Sequence, residues 1–317
     1  MARDVLAFGE ALLRLQPAGD ARLDEAGPLD AYPGGAELNT CYALASLGAQ
    51  ASWFSVVPEG PLGRRVLRHL RGGGVDTSLV RTAPGRLGTY WVEYGRDPRT
   101  IEVVYDRRDS TVCRVRREDV PWDAIRSSRL FFVSGITPAL SAEARAVALE
   151  MAEAARAAGV PVATDLNYRA RLWSTAEAAP VLERLARMAD VVITTSDDLR
   201  ALFGFAGDAD ALAVQARERF GCRTVALTLG AEGALCVDDG DRRRCATFPS
   251  HARDRIGAGD AFTAGFLFAW LEGRRDHALD YGLALAALKH SVPGDTLATT
   301  REEVERVMAR GAGGIRR

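Results

Sequence analysis

The chain has 317 residues, with 41 Lys and Arg against 42 Asp and Glu, a net charge of −1. That balance excludes the strongly basic face of a protein that coats nucleic acid, and a hydrophobic fraction of 47% excludes global disorder. Lys289 is the only lysine and stands between Leu288 and His290, so the chain has no Gly-Lys-Ser/Thr phosphate loop.

Five cysteines (Cys41, Cys113, Cys222, Cys236, Cys245) form no C-x-x-C pair, and the histidines lack metal-ligand spacing. Neither a disulfide framework nor a zinc site is expected. No apolar run approaches the ~20 residues of a membrane helix. The opening MARDVLAFGE lacks the apolar core and cleavage site of a signal peptide, and the expected location is cytoplasmic.

In chain order, alternating apolar patterns at 12–23 and 85–115 predict short strands exposed on one face. Between them, 37–73 reads as helix, strand and helix. From residue 129 onward, strands and helices alternate. Strands are predicted at 129–134, 160–165, 191–194 and 224–229. Helices are predicted at 141–158, 175–189 and 208–220, the first capped by Ser141 and closed by Gly159. Continuous apolar strands separated by helices imply a parallel sheet covered on both faces. A hairpin follows at 233–248, turning at DDGD, and then helices at 259–272 and 277–291. A last helix opens at Thr300 with Glu303 three residues on, the spacing of a capping box. The expectation is one α/β domain over 1–317, with a small sheet from about 12–33 and 86–113 forming a lid over a cleft.

The segment Asp254–Phe262 (DRIGAGDAF) carries the clearest chemistry. Gly257, Ala258 and Gly259 keep the backbone small just where a helix begins. The free N–H groups of that first turn and the helix dipole favour a phosphate. Asp260 sits in the same turn. Spacing alone leaves two roles open: a carboxylate that favours the dipole, or a base that takes a proton from a hydroxyl.

DRIGAGDAFTAGF resembles the C-terminal signature of the ribokinase-like (PfkB) carbohydrate kinases. PGGAELNTCYALASLG at 33–48 resembles their N-terminal signature, more than 200 residues earlier and in the family's order. The resemblance implies a three-layer α/β sandwich with a mostly parallel sheet and a β-sheet lid. It implies Asp260 as the general base and Gly257, Ala258 and Gly259 as the anion hole. ATP and Mg²⁺ are the implied cofactors. Arg255, where many members have Thr, leaves a K⁺ site undecided.

Further segments resemble the 2-keto-3-deoxygluconate kinases of that family: GTYWVEYG at 88–95, VVYDRRDS at 103–110, DLNYRARLW at 165–173 and LKHSVPGD at 288–295. A sugar acid needs a planar cation for its carboxylate, and Arg107 and Arg169 lie in these motifs. Tyr90 and Tyr105 are expected on the lid against the substrate, through ring face or hydroxyl. Gly34, Gly35, Asn39 and Asp295 are further substrate candidates, each equally readable as turn or packing. On the nucleotide side, TVALTLGAEGAL at 224–235 resembles the strand and glycine turn beneath ATP. Thr228, Gly230, Gly233, Ser196 and His290 are the nucleotide candidates there. The family's Asn-x-x-Glu pattern has Thr195 and Asp198 in its place, so Asp198 is the candidate for Mg²⁺ through water.

The expected partners are a small sugar acid and ATP, with no nucleic acid or membrane, and a second subunit joined through the lid sheets. Two alternatives stay open: a fructokinase or ribokinase of the same fold, and a non-catalytic sugar or nucleotide sensor.

Overall fold

The computed structural model describes residues 3–19, 21–95 and 98–311. An eight-stranded sheet runs in the order 241–245, 234–238, 224–228, 191–195, 162–165, 131–134, 5–8 and 51–54. Every pairing from 224–228 to 51–54 is parallel, and the hairpin strands 234–238 and 241–245 add antiparallel to one edge. Parallel strands buried on both faces must be apolar along their length. Val5–Phe8 (VLAF) and Phe131–Ser134 (FFVS) are buried at every position.

Side chains alternate across the sheet and feed two cores. Leu6 and Phe8 join the helices Ala142–Ala157, Thr175–Met188 and Ala209–Phe220 on one face. Val5 and Ala7 join Ala36–Ser46, Ala258–Leu271 and Ala278–Lys289 on the other. The helix starts follow the capping residues. Ser141 Oγ accepts the Ala144 N–H at 3.0 Å. Ser174 and Glu177 form a reciprocal capping box. At Thr300 the expected box is only half made. Glu303 N–H reaches Thr300 Oγ1 at 3.2 Å, but the Glu303 carboxylate takes the Thr299 hydroxyl at 2.8 Å.

A four-stranded sheet in the order 29–34, 12–17, 88–93, 102–106 lies apart from the main sheet. Gly88, Tyr90 and Val92 point inward in alternation. Leu29–Gly34 closes the expected lid segment 12–33, although Asp30 and Pro33 break its apolar pattern; it pairs with Leu12–Pro17 at six positions. Among the described residues no helix is long and apolar enough to cross a membrane.

Candidate active site

The helix Ala258–Leu271 starts at Gly257, whose φ of +83° suits glycine. A Cβ at Gly257 would collide with the Asp295 carbonyl oxygen. Ala261 N–H makes the first helical bond, to the Gly257 carbonyl at 2.9 Å, and Ala258 N–H leans on the Arg255 carbonyl at 3.3 Å. The N–H groups of Gly259 and Asp260 precede that first bond and are left for an anion.

Asp260 is half-buried on this turn and does not cap the helix. Its Oδ2 accepts the Asn39 amide N–H at 2.7 Å. Burial pushes its pKa up to about 6, against the pull of Asn39, Arg169 and Lys289. That places a carboxylate near neutrality beside an anion-binding turn, the poise of a general base. Asn39 is thus first a holder of Asp260. Its Oδ1 is buried without a partner and can accept a hydroxyl proton from a ligand.

The helix that carries Asn39 is fixed by a residue the sequence did not flag. Glu37, two residues before Asn39, is fully buried, and burial raises its pKa to about 7. Its Oε1 accepts the Ser134 N–H and hydroxyl, both at 2.8 Å, and the Thr137 hydroxyl at 2.7 Å. Helix 36–46 is thereby pinned to the end of strand 131–134.

The lid meets the body through a buried ion network. Arg14, fully buried, bridges Asp254 Oδ2 at 2.9 Å and Asp295 Oδ1 at 3.2 Å. The rings of Tyr94 and Tyr32 flank its guanidinium at 5.4 and 5.8 Å. The Tyr90 hydroxyl donates to Asp295 Oδ2, and the Tyr94 hydroxyl donates to Asp254. Both oxygens of Asp295 are therefore engaged, and Tyr90 has no free hydroxyl for a sugar. Tyr90 stacks instead on Tyr105 at 5.4 Å, and the more exposed Tyr105 presents the outer ring. Gly34 makes room for the Asp295 carboxylate and Gly35 for the Glu10 carbonyl, where a Cβ would strike each. Packing inside the protein is enough to require both glycines.

The two arginine candidates differ. Arg107 is held by the buried Glu10, Nε to Oε2 at 3.0 Å with a second contact through Nη2, and lies 5.4 Å from the Tyr105 ring centroid. Burial raises the pKa of Glu10 despite this pairing. Arg169 is exposed; its backbone carbonyl accepts the Leu172 N–H at 2.9 Å, while its guanidinium makes no hydrogen bond or ion pair with any described residue. Its charge acts on Asp165, Asp198 and Asp260. Asp165 is pushed up to about 8 by burial and by the Asp260 and Asp198 charges. Asp198 Oδ2 accepts the Tyr168 N–H at 3.3 Å, and Thr195 Oγ1 caps the Asp198 N–H at 3.0 Å. Thr195 thus serves as a helix cap.

A cavity of about 1120 Å³ opens beside the Gly257 turn. Ser196, Thr228, Gly230, Gly233, Ala258, Gly259 and His290 line it, while Gly257 lies behind the wall. Leu283, Ala286 and Phe248 supply an apolar end suited to a base ring. The wall at 247–250 was not foreseen, because its irregular backbone gives no periodic signal.

A family model for the pfkB family carbohydrate kinases matches residues 2–301. A 2-dehydro-3-deoxygalactonokinase from Haloferax volcanii is 39% identical over 318 residues, covering 100% of both chains. A 2-dehydro-3-deoxygluconokinase from Thermoproteus tenax is 33% identical, covering 96% of this chain and 94% of the relative. The crystal structure of 2-dehydro-3-deoxygluconokinase from Thermotoga maritima has a TM-score of 0.91 at 31% identity, covering 98% of this chain and 99% of that one.

Proposed function

Because the chain belongs to the pfkB family of carbohydrate kinases, we propose that it transfers the γ-phosphoryl group of ATP to the 6-hydroxyl of 2-keto-3-deoxygluconate (equally, 2-dehydro-3-deoxygluconate). The observation that carries this reading is Asp260, poised near neutrality on an open helix N-terminus at the edge of a nucleotide-sized cavity. A sensor has no need of such a base.

Asp260 accepts the proton of the 6-hydroxyl while the sugar's O6 bonds to the γ-phosphorus. The bond from that phosphorus to the β-bridging oxygen breaks, and ADP leaves. The N–H groups of Gly259 and Asp260 stabilise charge on the moving phosphoryl group, with Gly257 setting the turn. Asn39 orients the base. Among the described residues no three His, Cys, Asp or Glu side chains form a metal cage. That fits a Mg²⁺ held mainly by ATP phosphates and water, with Asp198 reaching it through water. Bound there, Mg²⁺ supplies neutralisation of the phosphate charge. Thr228, Gly230, Gly233 and Ser196 line the phosphate and ribose side, and His290 the base end.

The unpaired Arg169 and the Glu10-bound Arg107 are the cations for the sugar's carboxylate, and Tyr105 supplies a ring face. The galactonokinase relative favours a second substrate, the C4 epimer 2-keto-3-deoxygalactonate. Closure of the lid excludes water from the phosphoryl group. Away from that ring the lid exposes Leu29, Ile101 and Val104, a surface for pairing with a second copy. Full activity of a monomer at nanomolar concentration would count against that pairing.

The test is a coupled ADP-release assay with Mg·ATP, offering both 2-keto-3-deoxy acids, fructose, ribose and gluconate in parallel. Preference for a keto-deoxy acid is expected. Preference for a neutral sugar overturns the substrate assignment, and no turnover with any of them overturns the kinase reading.

A further inference from the structure

Of the 41 cationic side chains, 40 are arginine, and the single lysine is fully buried. Lys289 ends the helix Ala278–Lys289 directly behind the Gly257 turn. Its Nζ donates to the Val292 carbonyl at 3.0 Å. Its Cε lies 3.3 Å from where a Cβ on Gly257 would be, beside the Asp295 carbonyl that blocks the same position. The loop it starts is stitched to the segment before the turn. Arg253 N–H bonds the His290 carbonyl at 2.8 Å, and Gly294 N–H bonds Asp254 Oδ2 at 2.9 Å.

The charges around it are unequal. Asp254, Asp295 and Asp260 face Lys289 as acids, and Arg14 as a cation. Arg14 already bridges Asp254 and Asp295. Asp260 has no ion-pair partner among the described residues. Facing Asp260 are Asn39 from helix 36–46, Arg169 from the 166–173 loop, Asp165 from strand 162–165, and Asp295 and Lys289 from behind the turn. Arg169 is exposed and is the cation proposed above for the substrate. Lys289 is the protein's permanent contribution.

We propose that Lys289 is a positioning residue for phosphoryl transfer: its tethered ammonium locks the 289–295 loop against the Gly257 turn and sets a fixed positive charge behind the turn that carries Asp260. The inference rests on the kinase reading above and adds a residue to it. Burial is the largest influence on Lys289 and lowers its pKa; Asp254, Asp295 and Asp260 offset part of that, and Arg14 adds to it.

Two measurements test this. In Lys289→Met the acid limb of the kcat/KM–pH profile should move up by about one pH unit, so activity falls about tenfold below the limb and recovers at high pH. Lys289→Ala should regain activity with added methylammonium. A merely structural lysine would lower stability and leave the limb in place, and an unmoved limb overturns the proposal. The second measurement needs no variant of Lys289. Labelling with [¹⁵N]lysine gives one side-chain signal, because the chain has one lysine. An ammonium signal at pH 7 with a titration step near pH 6, lost in Asp260→Asn, is expected. A neutral amine at pH 7, or no step, overturns the proposal even if the variants fail to fold. The labelling experiment requires no turnover, so absence of kinase activity in the unmodified protein would fault the kinase reading separately.

Discussion

The two ends of the cleft are built from different materials. At the phosphoryl end, the ligand-facing groups are backbone N–H donors on a glycine turn, and Asp260 is the one side chain asked to do chemistry. At the lid end, long side chains do the work: Tyr105, Arg107, Arg169 and the buried set around Arg14. Backbone donors cannot be altered without moving the chain, so the first end is set by the fold. The second end can be rewritten residue by residue, and it is where the proposed substrate reading puts the choice of sugar.

The largest effect should come from the one exchangeable group at the backbone end. Asp260→Asn should lower kcat by about 10²–10⁴-fold while ATP binding, followed by calorimetry, stays intact. In the unmodified enzyme kcat/KM should rise through an acid limb near pH 6, since Asp260 must be ionised to act. Comparable loss of ATP binding in the Asn variant would blur the division between chemistry and binding.

Next is the root of the lid. Arg14→Ala leaves Asp254 and Asp295 buried without their shared cation and should cost about 3–5 kcal/mol in denaturant unfolding. A cost below 1 kcal/mol would mean the network is solvated.

The two substrate arginines sharpen the comparison further. Arg169→Ala should raise KM for the sugar acid about 10- to 100-fold with little change in thermal stability, because it holds nothing inside the protein. Arg107→Ala should raise KM and also lower stability, because it strands Glu10. Identical behaviour of the two variants would refute the distinction.

The smallest effect concerns Asp165. Its folded pKa of about 8 lies above the ordinary carboxylate value, so the folded state binds a proton that the unfolded chain releases. Its ionisation costs stability as pH rises from about 4 to 8. Asp165→Asn should therefore gain about 1–2 kcal/mol at pH 7 and nothing at pH 3. Equal gains at both pH values would place the effect elsewhere.

Much of the body was legible in the sequence because its signals are local. Apolar runs such as FFVS and VVIT, and a cap such as Ser141, declare themselves within a few residues. Val5–Phe8 was seen only as a short apolar stretch, yet it lies inside the sheet between 51–54 and 131–134. Asp260 and the nucleotide-side candidates were singled out through the resemblance of their segments, and the structure gathers Ser196, Thr228, Gly230, Gly233, Ala258, Gly259 and His290 around one cavity. The roles of Arg14, Glu10 and Glu37 were not readable. Arg14 meets Asp295 across 281 residues, and Glu10 meets Arg107 across 97. No window of sequence contains such a pair. Tyr90 and Asp295 were singled out as substrate candidates, and their commitment to each other appears only once the lid is folded over the body.

The Arg14 tie also has a mechanical reading. A plate pinned near one edge travels most at the opposite edge. The pin sits where Arg14 pairs with Tyr32 and Tyr90, and the free edge is where Pro17 meets Leu29 and Glu93 meets Glu102. Opening the lid is then a hinge swing about a fixed fulcrum. Insertions at the outer rim would lengthen the lever without disturbing the catalytic end, which makes that rim the natural place to graft a new sugar preference.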